Sequence, residues 1–265
     1  MKITVFTNNQ SRHLSLIETL SDVADDIHVI HECNTLFTGV VADFIRKSDV
    51  MQKYWEKVTS AETAVFGRPR FLAQKTMPVL YGDASHMVPE MLGEAAESDI
   101  FVVFGASYIK GPMCEFLVSR KAINIHMGIA PAYRGHSCNF WAMYDGRPDL
   151  VGATIHRLSK GLDQGAVLFH CFPRTAPEAG FELGMRAVEA AHQGLATRIA
   201  DGTLLDLEPV PQDLEKQLRY SRGAEFTDEI AEEFLNREYD RDSIQALLDA
   251  RALDNFQLPF IGDWS

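Results

Sequence analysis

Cysteine is scarce in this chain and scattered. The four residues Cys33, Cys114, Cys138 and Cys171 form no Cys-x-x-Cys pair, so nothing points to a zinc site or a disulfide framework, and a reducing cytoplasm is the simplest expectation. Long hydrophobic runs are missing too. No apolar stretch approaches the roughly 20 residues that a membrane span needs, and Met1-Lys2-Ile3-Thr4-Val5-Phe6 enters a strand pattern directly, so neither a leader nor a membrane partner is expected. Positive charge is in deficit: 25 Lys and Arg stand against 37 Asp and Glu, a formal charge of -12. Nucleic-acid affinity is built from cations that neutralise phosphates, so a nucleic-acid partner is disfavoured. The first loop, Thr7-Asn8-Asn9-Gln10-Ser11-Arg12-His13, holds no glycine, and close backbone cradling of a terminal phosphate is not expected there. There is no internal repeat and no low-complexity tract.

What remains is an ordinary globular composition, 46% hydrophobic over 265 residues, enough to bury a substantial core. The pattern predicts strands at Lys2–Phe6, Ile27–His31 and Ile100–Phe104, the last a continuous apolar run of the kind buried on both faces. A helix is predicted from about Ser11 to Ala24, another from Thr38 to Ser60 ended by Gly67-Arg68-Pro69-Arg70, and others at Met87–Ala96 and Met113–Ser119. Asn139–Tyr144 also reads as helical. The stretches Val151–Leu158 and Ala166–Phe172 are β-rich, and a long amphipathic helix follows at Phe181–Asp201. Strand, helix, strand repetition predicts right-handed parallel crossovers, hence an α/β sheet. From Leu207 a linkage through Pro209-Val210-Pro211 leads to acidic amphipathic segments at Thr227–Asn236 and Arg241–Ala250, with Thr227 and Asp240 as helix caps.

The chemistry concentrates in two segments. In Ala122-Ile123-Asn124-Ile125-His126, a strand period of two points Asn124 and His126 to the same side, their Cα atoms roughly 6 to 7 Å apart. In Gly161-Leu162-Asp163-Gln164-Gly165, a carboxylate sits on a glycine turn between two β segments. Such a carboxylate orients a histidine and helps it hold a proton during acyl transfer, while the amide serves an oxyanion. Cys138 lies nearby in sequence and reads as a small buried core thiol rather than a nucleophile.

Asn124-Ile125-His126, the loop through Pro131 to Tyr133-Arg134-Gly135, and Leu162-Asp163-Gln164-Gly165 together resemble the formyltransferases that use 10-formyltetrahydrofolate. That family includes the glycinamide ribonucleotide, methionyl-tRNA and sugar N-formyltransferases. The resemblance runs from about Asp99 to about His170 with motifs in the same order. It implies a doubly wound, mostly parallel sheet of the formyltransferase Rossmann-like kind, covering residues 1–206, with a short helical carboxyl-terminal extension over 207–265. It implies Asn124, His126 and Asp163 as the catalytic residues, 10-formyltetrahydrofolate as formyl donor, and no metal. The loop after the Ile100 strand lines the pterin pocket in the family, which assigns Ser107, Tyr108, Ile109 and Lys110 to the donor, joined by Leu158 and Gly161 from the opposite wall.

On the acceptor side the expected contacts are Asn9 and Arg12 in the first loop, Met127 where the family often has proline after the histidine, and Trp141 as a stacking surface. The helix-borne aromatics around Trp141 also fit a core role. The missing phosphate-loop glycines, an extension too short for a tRNA-binding barrel, and the acidic charge favour an amino sugar carried on a nucleotide as the small-molecule acceptor. A hydroxylated amino acid such as hydroxyornithine fits nearly as well. A formyltetrahydrofolate hydrolase would keep the same three groups, and a non-catalytic folate-binding protein would have no need of all three. The extension reads as a packing element or as part of a homodimer contact.

Overall fold

The computed structural model describes residues 1–35, 47–70, 72 and 74–263. Along the chain come β1 (Lys2–Thr7), α1 (Ser11–Ser21), β2 (Asp26–Cys33), α2 (Asp49–Phe66), β3 (Lys75–Leu80), β4 (Ile100–Phe104), α3 (Gly111–Ser119) and β5 (Ile123–His126). They are followed by β6 (Tyr133–Gly135), α4 (Cys138–Tyr144), β7 (Ala153–Arg157), β8 (Val167–Pro173), α5 (Gly180–Ala200), β9 (Arg219–Ser221), α6 (Asp228–Leu235), α7 (Arg241–Asp249) and β10 (Phe260–Gly262).

Eight strands form one sheet in the order β10-β8-β7-β5-β4-β1-β2-β3. Neighbours run parallel except for β7, which is antiparallel to both β5 and β8. Strand β4 explains how the sheet is buried on both faces. Ile100, Val102 and Phe104 join the core made with α1 and α5, whereas Phe101 and Val103 join the core made with α3, as a side-chain period of two requires. The same alternation sends Ile123 and Ile125 of β5 into the α1/α5 core and therefore turns Asn124 and His126 to the α3 side.

Helix α2 is capped by Ser48, whose hydroxyl accepts from the Met51 amide, and stops at Gly67 in a left-handed conformation (φ 73°), a backbone state that glycine adopts without cost. The helix expected from Thr38 to Ser60 is described only from residue 47, and its first part, 38–46, lies outside the described residues. The helix expected at Met87–Ala96 is instead a 3-10 segment, Pro89–Glu97, broken at Gly93 (φ 53°, ψ -127°); that glycine breaks the helical path.

The segment after residue 206 is not helical alone. Besides α6 and α7, the latter capped by Asp240 accepting from the Asp242 and Ser243 amides, it supplies two strands. β9 pairs with β6 in a two-stranded sheet, and β10 pairs with β8 at the edge of the main sheet. Among the described residues no helix is long and apolar enough to cross a membrane.

Candidate active site

Asn124 and His126 stand where β5 ends beside β4, at the carboxyl end of parallel strands, where open α/β sheets hold their ligands. Asp163 arrives from the turn joining β7 to β8. The Asp163 carboxylate meets both: Oδ2 lies 3.4 Å from His126 Nδ1, and Oδ1 accepts from Asn124 Nδ2 at 3.4 Å. All three residues expected from sequence therefore converge.

Their environment fixes the protons. His126 Nε2 donates to the Tyr133 carbonyl at 3.2 Å, since a carbonyl can only accept. That leaves Nδ1 facing the carboxylate. His156, directly opposite Asn124 in the β5–β7 register, donates from Nδ1 to the Arg157 carbonyl at 2.8 Å and so presents a bare Nε2, which accepts from Asn124 Nδ2 at 3.0 Å. Burial pushes the His156 pKa below the ordinary imidazole value, which keeps the ring neutral and able to accept.

Backbone geometry at the turn is unusual. Asp163 is left-handed (φ 50°), a state aspartate tolerates better than most residues but which still carries strain. Gly165 is obligatory by contact, because a Cβ there would lie 1.6 Å from the Arg157 carbonyl oxygen. The loop after His126 is equally constrained. Thr154 Oγ1 accepts from the Ala130 amide at 2.8 Å and donates to the Gly128 carbonyl at 2.6 Å, and His170 Nε2 donates to the Ala130 carbonyl at 2.9 Å.

A cavity of about 290 Å³ opens beside these groups. Asn124, Asp163 and His156 line it, together with Ser107, Tyr108, Ile109, Leu158 and Gly161. His126, 7% exposed, touches Asp163 from outside that lining. Lys110 is absent from the lining: its ammonium stands 5.0 Å over the Tyr108 ring and its amide donates to Ser85 Oγ.

The acceptor-side residues are placed differently from expectation. Arg12 is committed to Glu62 of α2, through Nη1 to Oε2 at 2.9 Å and through its amide to Oε1 at 2.9 Å, so its charge is compensated within the fold rather than offered to a pyrophosphate. Asn9 Nδ2 donates to the Thr35 carbonyl at 2.8 Å. Met127, half-buried, packs against the core. Trp141 is 2% exposed, with the Arg219 guanidinium 4.3 Å from its ring centroid; helix α4 turns it inward, and the core role applies. Cys138 is buried, and burial together with the Asp163 charge pushes its thiol far above the usual range, which excludes a thiolate nucleophile at neutral pH.

A family model described as Formyl transferase matches residues 56–199, more than half of the 265-residue chain. The chain belongs to the formyl transferase family. Methionyl-tRNA formyltransferase from Synechococcus sp. (strain JA-3-3Ab) is 30% identical over 128 residues, which is 47% of this chain and 39% of that protein. The chain thus matches about two fifths of the length of that relative. In fold it is similar to a 4-N formyltransferase from Francisella tularensis (TM-score 0.54, 16% identity, 95% of this chain and 87% of the other). It is also similar to an N-formyltransferase from Helicobacter canadensis solved with folinic acid and dTDP-3-aminofucose (TM-score 0.51, 16% identity, 98% and 84%).

Within this candidate site, three groups escaped the sequence reading. His156 has a legible signal: alternation in Thr154-Ile155-His156 gives it the same sheet face as Asn124. Gln212, in the proline-flanked linkage, donates from Nε2 to the carbonyls of Asp163 (2.8 Å) and Gly165 (2.9 Å). Arg134 donates to the Leu162 carbonyl and to Gln217 Oε1. The latter two contacts cross 28 to 83 residues of sequence, and no local pattern announces them. Among the described residues no group of three or more His, Cys, Asp and Glu side chains is arranged to hold a metal ion.

Proposed function

We propose that this protein transfers a formyl group from 10-formyltetrahydrofolate to the amino group of a small acceptor, with a nucleotide-linked amino sugar as the preferred acceptor class. The observation that carries the reading is the meeting of the Asp163 carboxylate with Asn124 at the cavity wall and with His126 just behind that wall. The cavity fits the donor in character: apolar Val103, Ile109, Leu158 and Leu162 form a slot, with backbone and amide groups at its edges, as a flat heterocycle with several polar edges requires.

In the proposed reaction the acceptor nitrogen attacks the formyl carbon, forming the new C–N bond and a tetrahedral oxyanion. Asn124 Nδ2, held by His156 and only at long range by Asp163, turns one N–H to that oxygen. Asp163 and His126 Nδ1 act as a proton-holding pair. The acceptor attacks as the free amine; its nitrogen, cationic once the new bond has formed, loses a proton to the pair, which returns it to N10 as the C–N10 bond breaks. The fixed Nε2–H bond to Tyr133 keeps the imidazole aimed at the carboxylate.

The amino-sugar preference is supported by the acidic charge and by the Helicobacter canadensis relative in fold, solved with a dTDP-linked amino sugar. We divide the chain for this activity into a catalytic part, 1–206, and an extension, 207–265, that supplies β9 and β10. The test is incubation with 10-formyltetrahydrofolate and a panel of nucleotide-linked amino sugars, hydroxyornithine and glycinamide ribonucleotide, following tetrahydrofolate release. Release dependent on an amino sugar supports the reading. Release without any amine identifies a hydrolase, and no release with any acceptor overturns the assignment.

A further inference from the structure

Glu32 sits near the end of β2, fully buried at 0% exposure, and it touches no reacting group. Its carboxylate collects four hydrogen bonds from two different loops. Oε1 accepts from the amides of Gly82 (3.0 Å) and Ala84 (3.1 Å) in the turn after β3, and from Ser107 Oγ (2.9 Å) in the loop after β4. Oε2 accepts from the Ser107 amide at 2.5 Å. Both loops border the donor cavity: Tyr81 belongs to the first, and Gly105 to Ile109 belong to the second. Ser85 ties them again, donating to the Tyr108 carbonyl and accepting from the Lys110 amide, each at 3.1 Å.

Burying a carboxylate is costly unless every lone pair is used, so this charge is tolerated only while both loops hold their positions. The carboxylate therefore couples the loops: neither moves without leaving a charged oxygen underbonded. The Ser107 amide and hydroxyl are spent on Glu32, so the wall's fixed shape, with the other backbone groups of the loop, faces the ligand.

We propose that Glu32 is a positioning residue for the formyl donor, setting the cavity wall from behind so that donor affinity depends on it while the chemistry at Asn124, His126 and Asp163 does not. This rests on the assignment of the cavity to 10-formyltetrahydrofolate. The discriminating variant is Glu32→Gln, nearly isosteric, because an amide NH2 in place of one carboxylate oxygen confronts N–H donors whichever way it turns.

The full-length Glu32→Gln protein is expected to raise the donor KM, and the Kd for 5-formyltetrahydrofolate as a non-transferring probe, by about tenfold or more, the loss of one to two hydrogen bonds to a charged group. The kcat at saturating donor and the acceptor KM stay within about threefold. An unchanged donor KM, or kcat and both KM values worsening together, overturns the inference. Should Glu32→Gln fail to fold, two measurements still decide. In the wild type, amide exchange at Gly82, Ala84 and Ser107 is expected to be slow, and fast exchange there overturns the coupling. Ser85→Ala, which cuts only the second tie, is expected to weaken donor binding in the same direction by a smaller factor, and unchanged binding overturns the idea. Failure of the wild type to bind 5-formyltetrahydrofolate overturns the donor assignment and this inference with it, whereas wild-type binding matched by Glu32→Gln overturns the inference alone.

Discussion

The carboxamide of Gln212 donates to the carbonyl oxygen of Asp163 at 2.8 Å, while its second N–H reaches Gly165 at 2.9 Å. One side chain from beyond residue 206 thus pins the left-handed turn that presents the Asp163 carboxylate. Gln212→Ala is expected to lower kcat by about tenfold or more with both KM values little changed, the cost of losing hydrogen bonds at a strained turn. Gln212→Glu, which sets a carboxylate against two carbonyl oxygens, is expected to be worse than alanine. Steady-state kinetics on the three proteins gives the order, and equal kcat values would remove Gln212 from the account.

Replacement of His126 by Ala, or of Asp163 by Asn, is expected to reduce turnover by at least roughly a hundredfold. Cooperative melting is expected to persist. Near-normal turnover in either variant, measured by tetrahydrofolate release, would refute the assigned pair.

Gly128→Ala is expected to be damaging through contact rather than through backbone strain. A Cβ at that position would approach Cys138 Cβ to 2.4 Å and His126 Nε2 to 2.8 Å, and Nε2 is the atom anchored on Tyr133. The expected signature is a large fall in kcat with a smaller loss in melting temperature. A variant as active as wild type would show that this loop yields without disturbing the imidazole.

Cys138→Ala is expected to retain activity within a few-fold. The thiol is buried and its pKa raised chiefly by that burial, and Sγ donates weakly to the Gly135 carbonyl at 3.4 Å. Removing one buried sulfur costs about 1 to 2 kcal/mol of stability. Abolished turnover in a folded Cys138→Ala protein would reinstate a nucleophilic thiol.

Acid should unfold this protein through its buried imidazoles. His192 is 1% exposed, and burial lowers its pKa from 6.5 to about 3. Between those values the unfolded chain binds a proton there that the folded chain refuses. The stability from the neutral ring is therefore complete above about pH 6.5 and is lost as pH falls toward 3. His13, His31, His156 and His170 are shifted in the same direction, in each case chiefly by burial. Denaturant melts across this range should show stability falling with pH. In His192→Phe, a ring packed between Phe66 and Phe104, the slope should be shallower by one proton, and an unchanged slope would mean that His192 is already accessible to protons.

Much of the architecture was legible because its signals are local. The apolar run Ile100–Phe104 and the alternation around Asn124 and His126 each state their own burial, and Asp163 on its glycine-flanked turn completes the site by sequence order. What escaped is what depends on distant partners. β3 contains Pro78 and is largely exposed, so it lacks both the pattern and the composition of a strand. β6, β9 and β10 are three residues each, too short for any periodicity to register. Arg12 and Trp141 show the complementary failure. Their residue types suit ligand contacts, but Glu62 and the core around α4 claim them first; Glu62 lies 50 residues from Arg12 and no local pattern announces it, whereas the aromatics neighbouring Trp141 already fitted a core role.

Strand β10 has a consequence for handling the protein. It lies against β8, with Phe260 opposite Cys171 and Gly262 opposite Pro173, and so covers the backbone of Cys171-Phe172-Pro173, the end of a strand, Val167–Pro173, with no acidic or basic side chain other than one imidazole. A protease nick in the linker around the exposed Leu258 would free that cover and bare an apolar strand edge, the kind of template on which chains assemble into intermolecular sheets. Clipped material should therefore precipitate before it loses secondary structure.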